Sequence, residues 1–295
     1  MNLKPTSIAT SAAQVSPEWR SYWNGLQFGT IFDGSRPYNF VGNTYGDISQ
    51  GGTMGVMTEL GPGYNNIELG GDALAYFPYE SRYQLSGDVD WGVFCALDYD
   101  SIDTNLNDEA HIVSTNDNTQ GSWALYHTNG SIKFSYRAPT TEFQYLNFSG
   151  ATPSSGSINY YMRRRIGGRY EIWRNGILID ELTNTEVPVL RSSGVLGIGG
   201  GGGNLLKDLR NFMGTYLAVY IWKGVAPENS VMLNQDPFGP VRQANRLFLP
   251  DLPRSFGSVV VPSDTQRQPI TVESSGQTDI NISQDSSKPA LKITP

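Results

Sequence analysis

Few side chains in this sequence could make or break bonds, and they are scattered. The histidines are His111 and His127, and neither belongs to an H-E-x-x-H run or to a Cys/His spacing that zinc would need. No G-x-S-x-G elbow presents a serine. A retaining glycoside hydrolase needs two carboxylates about 5–5.5 Å apart, which an E-x-D-x-E strand can supply. The nearest acidic clusters, Asp88-Val89-Asp90 and Asn107-Asp108-Glu109, lack the three alternating carboxylates and read as solvated loops. Gly197, Gly199 and Gly202 satisfy G-x-G-x-x-G, but the helix and parallel β unit that would hold a pyrophosphate are missing, so a tight loop between strands is expected. Asp98, Asp100, Asp103, Asn105, Asn107 and Asp108 place hard oxygen ligands in one stretch that could attract Ca²⁺, yet without EF-hand spacing they read as a hydrated acidic loop. No catalytic, cofactor-binding or metal-binding residue is assigned, no cofactor is expected, and the chain is read as a non-enzyme.

The remaining charged and reactive groups point to architecture. Cys95 lies in the apolar run Trp91 to Leu97, where a thiol packs as a small hydrophobe, and a single cysteine allows no disulfide within the chain. Arg163-Arg164-Arg165 puts charge on both faces of a strand, so a surface strand near a sheet edge is expected, with an intersubunit salt bridge as the other reading. A net charge of −7 repels a polyphosphate backbone, which excludes nucleic acid as the natural partner. The first residues, Met1 to Ser7, lack the apolar stretch of a secretory signal, and no run approaches the ~18 apolar residues of a membrane span. Synthesis in a cytoplasm with no membrane partner is the expectation.

The elements that would position these groups are strands. Ser122 to His127 and Ser131 to Arg137 alternate in polarity around Asn129-Gly130, a favoured type I′ turn, and predict a hairpin. Asn159 to Arg165, Arg169 to Trp173 and Ile177 to Leu182, joined by Gly167-Gly168 and Asn175-Gly176, predict a three-strand meander. Phe212 to Trp222 is a long run rich in β-branched and aromatic residues and reads as a central, buried strand. One helical turn is expected after Ser16, with Pro17 at its first position, and another within Pro227 to Leu233. The chain thus divides into an N-terminal arm (1–24), an all-β two-sheet antiparallel β-sandwich (25–250) and an extended C-terminal tail (251–295).

The order of segments resembles the concanavalin A-like lectin/glucanase superfamily in its laminin-G-like form, common among tailed-phage proteins. The resemblance is carried by Gly70 to Phe77, Trp91 to Phe94, Trp123 to Tyr136, Tyr170 to Gly176, Val195 to Gly200 and Phe212 to Tyr216. It implies a jelly roll of two antiparallel sheets packed face to face. The flanks Pro17 to Gly25 and Met232 to Pro250 look like the borders of such domains in virion-associated proteins. The resemblance therefore implies a bacteriophage virion protein, such as a capsid decoration, cement or head-fibre protein. Its arms would dock on the major capsid protein or other virion proteins, and homo-oligomeric, for example trimeric, assembly is a further expectation. A carbohydrate-binding receptor-recognition module with a surface glycan as partner is the alternative, predicting an aromatic platform with Asn and Asp around it. A diverged glycoside hydrolase is the third reading, and it requires a carboxylate pair on a sheet face.

Overall fold

The computed structural model describes residues 8–32, 36–48, 53–56, 65–69, 74–101, 110–115, 123–128, 131–139, 143–149, 156–189, 195–200, 213–243, 266–270 and 280–284. In chain order the strands are β1 (Leu26–Phe32), β2 (Pro37–Asn39), β3 (Thr44–Tyr45), β4 (Asp47–Ile48), β5 (Thr53–Val56), β6 (Asn65–Leu69), β7 (Ala75–Phe77), β8 (Trp91–Ser101), β9 (Ala110–Ser114) and β10 (Trp123–Thr128). They continue as β11 (Ser131–Arg137), β12 (Phe143–Phe148), β13 (Gly156–Arg165), β14 (Arg169–Arg174), β15 (Ile177–Thr183), β16 (Leu196–Ile198), β17 (Met213–Lys223), β18 (Gln266–Ile270) and β19 (Ile280–Gln284). Two short helices, α1 (Pro17–Trp23) and α2 (Val231–Gln235), flank the strands of the sandwich.

The fold is an all-β sandwich of two antiparallel sheets. One has ten strands, running β15-β14-β13-β8-β17-β1-β2-β3, with β6 also on β17 and β5 on β6. The other has seven, running β12-β11-β10-β9-β16-β7-β4. Between them lies the main core, where Val93, Cys95 and Leu97 of β8 and Val219 and Ile221 of β17 meet Trp123, Leu125, Ile132 and Phe134 of the facing sheet. The expected hairpin is β10–β11, with Leu125 opposite Phe134; its Asn129-Gly130 turn lies outside the described residues. The expected meander is β13–β14–β15.

The outer face of the ten-stranded sheet is covered as well. Phe94, Ala96, Tyr161, Ala218, Tyr220 and Trp222 pack against Ile8, Ala9, Val15 and Trp19 from one end of the chain and Ala226, Leu233, Phe238 and Val241 from the other. The two flanks are stitched together where the Ala9 N–H donates to the Val241 carbonyl at 2.8 Å and Gln243 Nε2 to the Ile8 carbonyl at 3.1 Å. The described part of the expected N-terminal arm, residues 8–24, is thus folded back onto the sandwich. Residues buried on both sides of a sheet must be apolar on both, which is why β8 and β17 read as continuous apolar runs and not as alternating strands. In the tail, β18 and β19 pair with each other.

The strand of Arg163 and Arg164 does lie near a sheet edge, β13 being third in from β15, but it is not the surface strand that their charge led us to expect. Both are buried, and the cost of burying a guanidinium is offset by partners within the chain. Arg164 Nη2 lies 2.7 Å from Asp88 Oδ1, with Nη1 donating to the Val89 carbonyl and Nε to the Tyr170 hydroxyl at 3.2 Å each. On the opposite face Arg163 Nη1 donates to the Glu228 carbonyl at 2.6 Å, and Nη2 reaches Asp90 at 3.5 Å. Arg165 and Arg169 converge on the buried Glu171 at 2.9 and 3.2 Å.

His127 points into the main core beside Tyr160, and burial lowers its pKa from 6.5 to about 4. The unfolded chain, whose imidazole keeps the ordinary value, takes up this proton first as the pH falls. The stability contribution is therefore complete above pH 6.5 and is lost between there and about pH 4, by roughly 3 kcal/mol. Urea-denaturation midpoints across that interval should fall for the wild type and fall much less for His127→Gln; equal slopes would contradict the burial argument.

Candidate functional site

Among the described residues, those that sequence reasoning weighed for chemistry are not brought together. Asp88 and Asp90 fasten the β13–β14 turn: Asp88 accepts the Gly167 N–H at 3.0 Å besides Arg164, and Asp90 accepts the Ile166 N–H at 2.7 Å. Those bonds hold the Asp88 carboxyl below its ordinary value, the backbone donor contributing most. His111 and His127 lie on opposite faces of the seven-stranded sheet, since Tyr126 pairs with His111 and the next residue, His127, with Ala110. They cannot share a ligand. Gly197 sits within β16 and the Gly199 N–H donates to the Ile112 carbonyl at 2.9 Å, so these glycines serve a strand end. Gly202, Asp103, Asn105, Asn107, Asp108 and Glu109 lie outside the described residues, as do the side chains of Asp100 and its neighbours in late β8; Asp98 accepts from Ser157 Oγ at 3.3 Å. Burial pushes the Cys95 thiol far up from its ordinary value, which keeps it protonated and unreactive. Among the described residues no group of three or more His, Cys, Asp or Glu side chains could hold a metal ion. Among their described residues, the strands of the seven-stranded sheet carry one carboxylate, Asp47 of β4.

The structure instead gathers aromatic and amide side chains where the chain crosses from one sheet to the other. β3 pairs with β2 in the ten-stranded sheet, and one residue later β4 pairs with β7 in the seven-stranded sheet. Gly46 makes the crossing, because a Cβ there would lie 2.5 Å from the Tyr76 carbonyl oxygen. Cross-strand register sets Tyr38 opposite Tyr45, with ring centroids 4.9 Å apart. Phe40 follows Tyr38 by two residues and so leans to the same side. Its ring lies over Gly29, where a Cβ would sit 2.0 Å from it, and it meets Trp23 of α1 at 6.4 Å and Tyr220 at 6.5 Å. Trp23, Tyr38, Phe40 and Tyr45 are all half-buried, so each presents part of its ring to solvent at the rim of the outer layer.

Polar groups border these rings. Tyr38 Oη donates to Asn43 Oδ1 at 2.5 Å, and Asn43 takes a left-handed backbone (φ 52°) that asparagine tolerates better than most residues. Arg36 lies across Tyr45, its guanidinium carbon 5.5 Å from the ring centroid, while Nε donates to the Gly46 carbonyl at 3.1 Å and Nη2 meets Asp47 at 2.5 Å. Arg36, Asn43 and Asp47 are exposed.

A buried carboxamide holds this corner from beneath. Asn39 Oδ1 accepts the N–H groups of Gly29 and Val41 at 3.3 and 3.2 Å, and Nδ2 donates to the Tyr83 hydroxyl at 2.9 Å and to Thr44 Oγ1 at 3.3 Å. Tyr83 in turn donates to Glu80 Oε1 at 2.6 Å, and Glu80 also binds Thr44 and Arg82. Burial, reinforced by the Glu80 carboxylate, raises the Tyr83 pKa well above the ordinary phenol value, so the hydroxyl stays a donor. A fully satisfied buried network rigidifies what it joins. The arrangement offers flat apolar rings with hydrogen-bonding groups at their edge, a combination suited to holding a small polar ligand. Sequence reasoning missed it; the available signal was Tyr38, Phe40 and Tyr45 interleaved with Asn39 and Asn43 in a short turn-rich stretch.

No protein-family model and no curated protein matches this sequence. Solved structures do match. The binding domain of Paraclostridial Mosquitocidal Protein 1 is similar at TM-score 0.58 and 14% identity, over 74% of this chain and 53% of that one. The botulinum neurotoxin serotype G binding domain matches at TM-score 0.54 and 11% identity, over 71% and 50%. The serotype D ligand binding domain, solved in complex with N-acetylneuraminic acid, matches at TM-score 0.52 and 13% identity, over 74% and 52%. This chain thus spans about half the length of those chains, and at such identity the likeness is one of fold.

Replacing Asn39 with Ala leaves two backbone donors and the Tyr83 hydroxyl short of a partner. We expect a loss of about 2–3 kcal/mol in urea denaturation, together with faster hydrogen exchange at Val41. A change below about 0.5 kcal/mol, the scale of an ordinary surface substitution, would show that the carboxamide does not hold the corner.

Proposed function

We propose that this protein is a non-enzymatic, lectin-like binding module that holds a saccharide on the corner formed by Trp23, Tyr38, Phe40 and Tyr45. The observation that carries the reading is this set of half-exposed rings bordered by Arg36, Asn43 and Asp47 and immobilised by the Asn39 network. Rings held in advance lose little freedom on binding, which favours affinity from a small contact. Support also comes from fold neighbours that are themselves binding domains, one of them crystallised with a sugar acid. The charged groups of the β13–β14 region are occupied with one another, which fits a scaffold more than a reaction centre.

Display on a phage particle is the setting we propose, resting on the flanking segments Pro17 to Gly25 and Met232 to Pro250. Since residues 8–24 pack on the domain's own sheet, attachment to the major capsid protein or another virion protein would fall to the C-terminal segment. A strand hairpin such as β18–β19 can add to a neighbour's sheet edge. Homo-oligomeric assembly belongs to the same proposal.

Tyr38→Ala and Tyr45→Ala should each lower glycan affinity about ten-fold or more, since a lost stacking contact of more than 1 kcal/mol has that effect, while both variants keep the wild-type β circular-dichroism spectrum. Unaltered binding in both variants would remove the corner from the site. Deleting residues 251–295 should leave glycan binding intact and abolish association with particles; retained association would argue against attachment through the tail.

A further inference from the structure

We infer that the saccharide taken by this corner is neutral, and that the Arg36–Asp47 pair is what excludes acidic sugars. The inference rests on the saccharide reading above and adds the ligand's chemical class. Arg36 and Arg82 are the described cations beside the Tyr38–Tyr45 rings, and each is matched by a carboxylate, while Arg20, one turn before Trp23 on α1, donates to the Val15 carbonyl. Arg36 bonds Asp47 and the Gly46 carbonyl and lies against Tyr45. Arg82 is bound to Glu80 and directed toward the Val41 carbonyl and the Tyr83 ring. Recognition of a carboxylated sugar calls for a guanidinium whose fork is open to a second, bidentate carboxylate. Here the fork of Arg36 is engaged, and an incoming carboxylate would meet Asp47, whose side chain is 55% exposed. Like charges brought together in this way select against the wrong partner.

Hydroxyl groups meet no such obstacle. The spare lone pairs of Asp47 and the amide of Asn43 can accept and donate to them without altering the charge balance. The half-exposed rings supply apolar area for a sugar face. A proline-rich peptide also docks on aromatic rings, but it has little use for a charged, hydrogen-bonding border beside them.

The test uses the full-length protein, a glycan array and calorimetry with matched oligosaccharides that differ only in a terminal sialic or uronic acid. The neutral member should bind about ten-fold or more tightly than its acidic partner, a difference near 1.4 kcal/mol, and its affinity should vary little with salt. Asp47→Asn, which removes the repelling charge and turns the Arg36 ion pair into a neutral hydrogen bond, should narrow or reverse that preference. Equal or tighter binding of the acidic glycan by the wild type, still lost in Tyr38→Ala and Tyr45→Ala, would overturn the charge assignment and leave the saccharide reading standing. Binding of a polyproline peptide with silence across all glycans would overturn both.

Discussion

Because the ten-stranded sheet packs on the seven-stranded sheet through one face and is covered through the other by residues 8–24 and 225–243, its central strands are buried on both faces over residues 91–97 and 218–222. That double burial organises the rest of the molecule. It requires β8 and β17 to be apolar on both faces over that stretch, brings the two flanks back to the same sheet, and leaves rings of the aromatic layer partly exposed at the margin at β2 and β3. The corner that we identify with ligand binding is a place where that layer, running from Phe94 through Tyr220 to Phe40, reaches water.

Charge within such a structure has to be accommodated internally. Arg164 and Glu171 are buried among partners that come from the same chain, and the carboxylates of Asp88 and Asp90 are used to close a turn. Removing one member of such a set leaves the other stranded, so these residues are constrained by stability before any question of activity arises. Asn39 plays the corresponding part under the corner, spending a neutral carboxamide on four hydrogen bonds that fix a hairpin too short to fix itself.

Much of the sandwich was legible in the sequence because its strands announce themselves by local chemistry. β10 and β11 alternate in polarity, while β13, β14 and β15 are separated by Gly167-Gly168 and Asn175-Gly176, which turn the chain with φ above zero. The corner was not legible, since β2, β3 and β4 span two or three residues each and show no period to detect. Tyr38 and Tyr45 become neighbours through register alone. The triple arginine misled for a related reason: its partners Asp88 and Asp90 lie far away along the chain, and without them a charged strand reads as an exposed one. The similarity to binding domains of toxins strengthens the reading of fold and leaves the ligand to be argued from side chains.

Amide chemical-shift mapping by NMR during titration with a bound oligosaccharide tests the central claim most directly. Shifts concentrated on Trp23, residues 36–47 and the Trp23 indole N–H, with β11 and β12 unmoved, are what the account predicts. Shifts centred on the opposite margin, around Lys133, Tyr145 and Asn147, would contradict it.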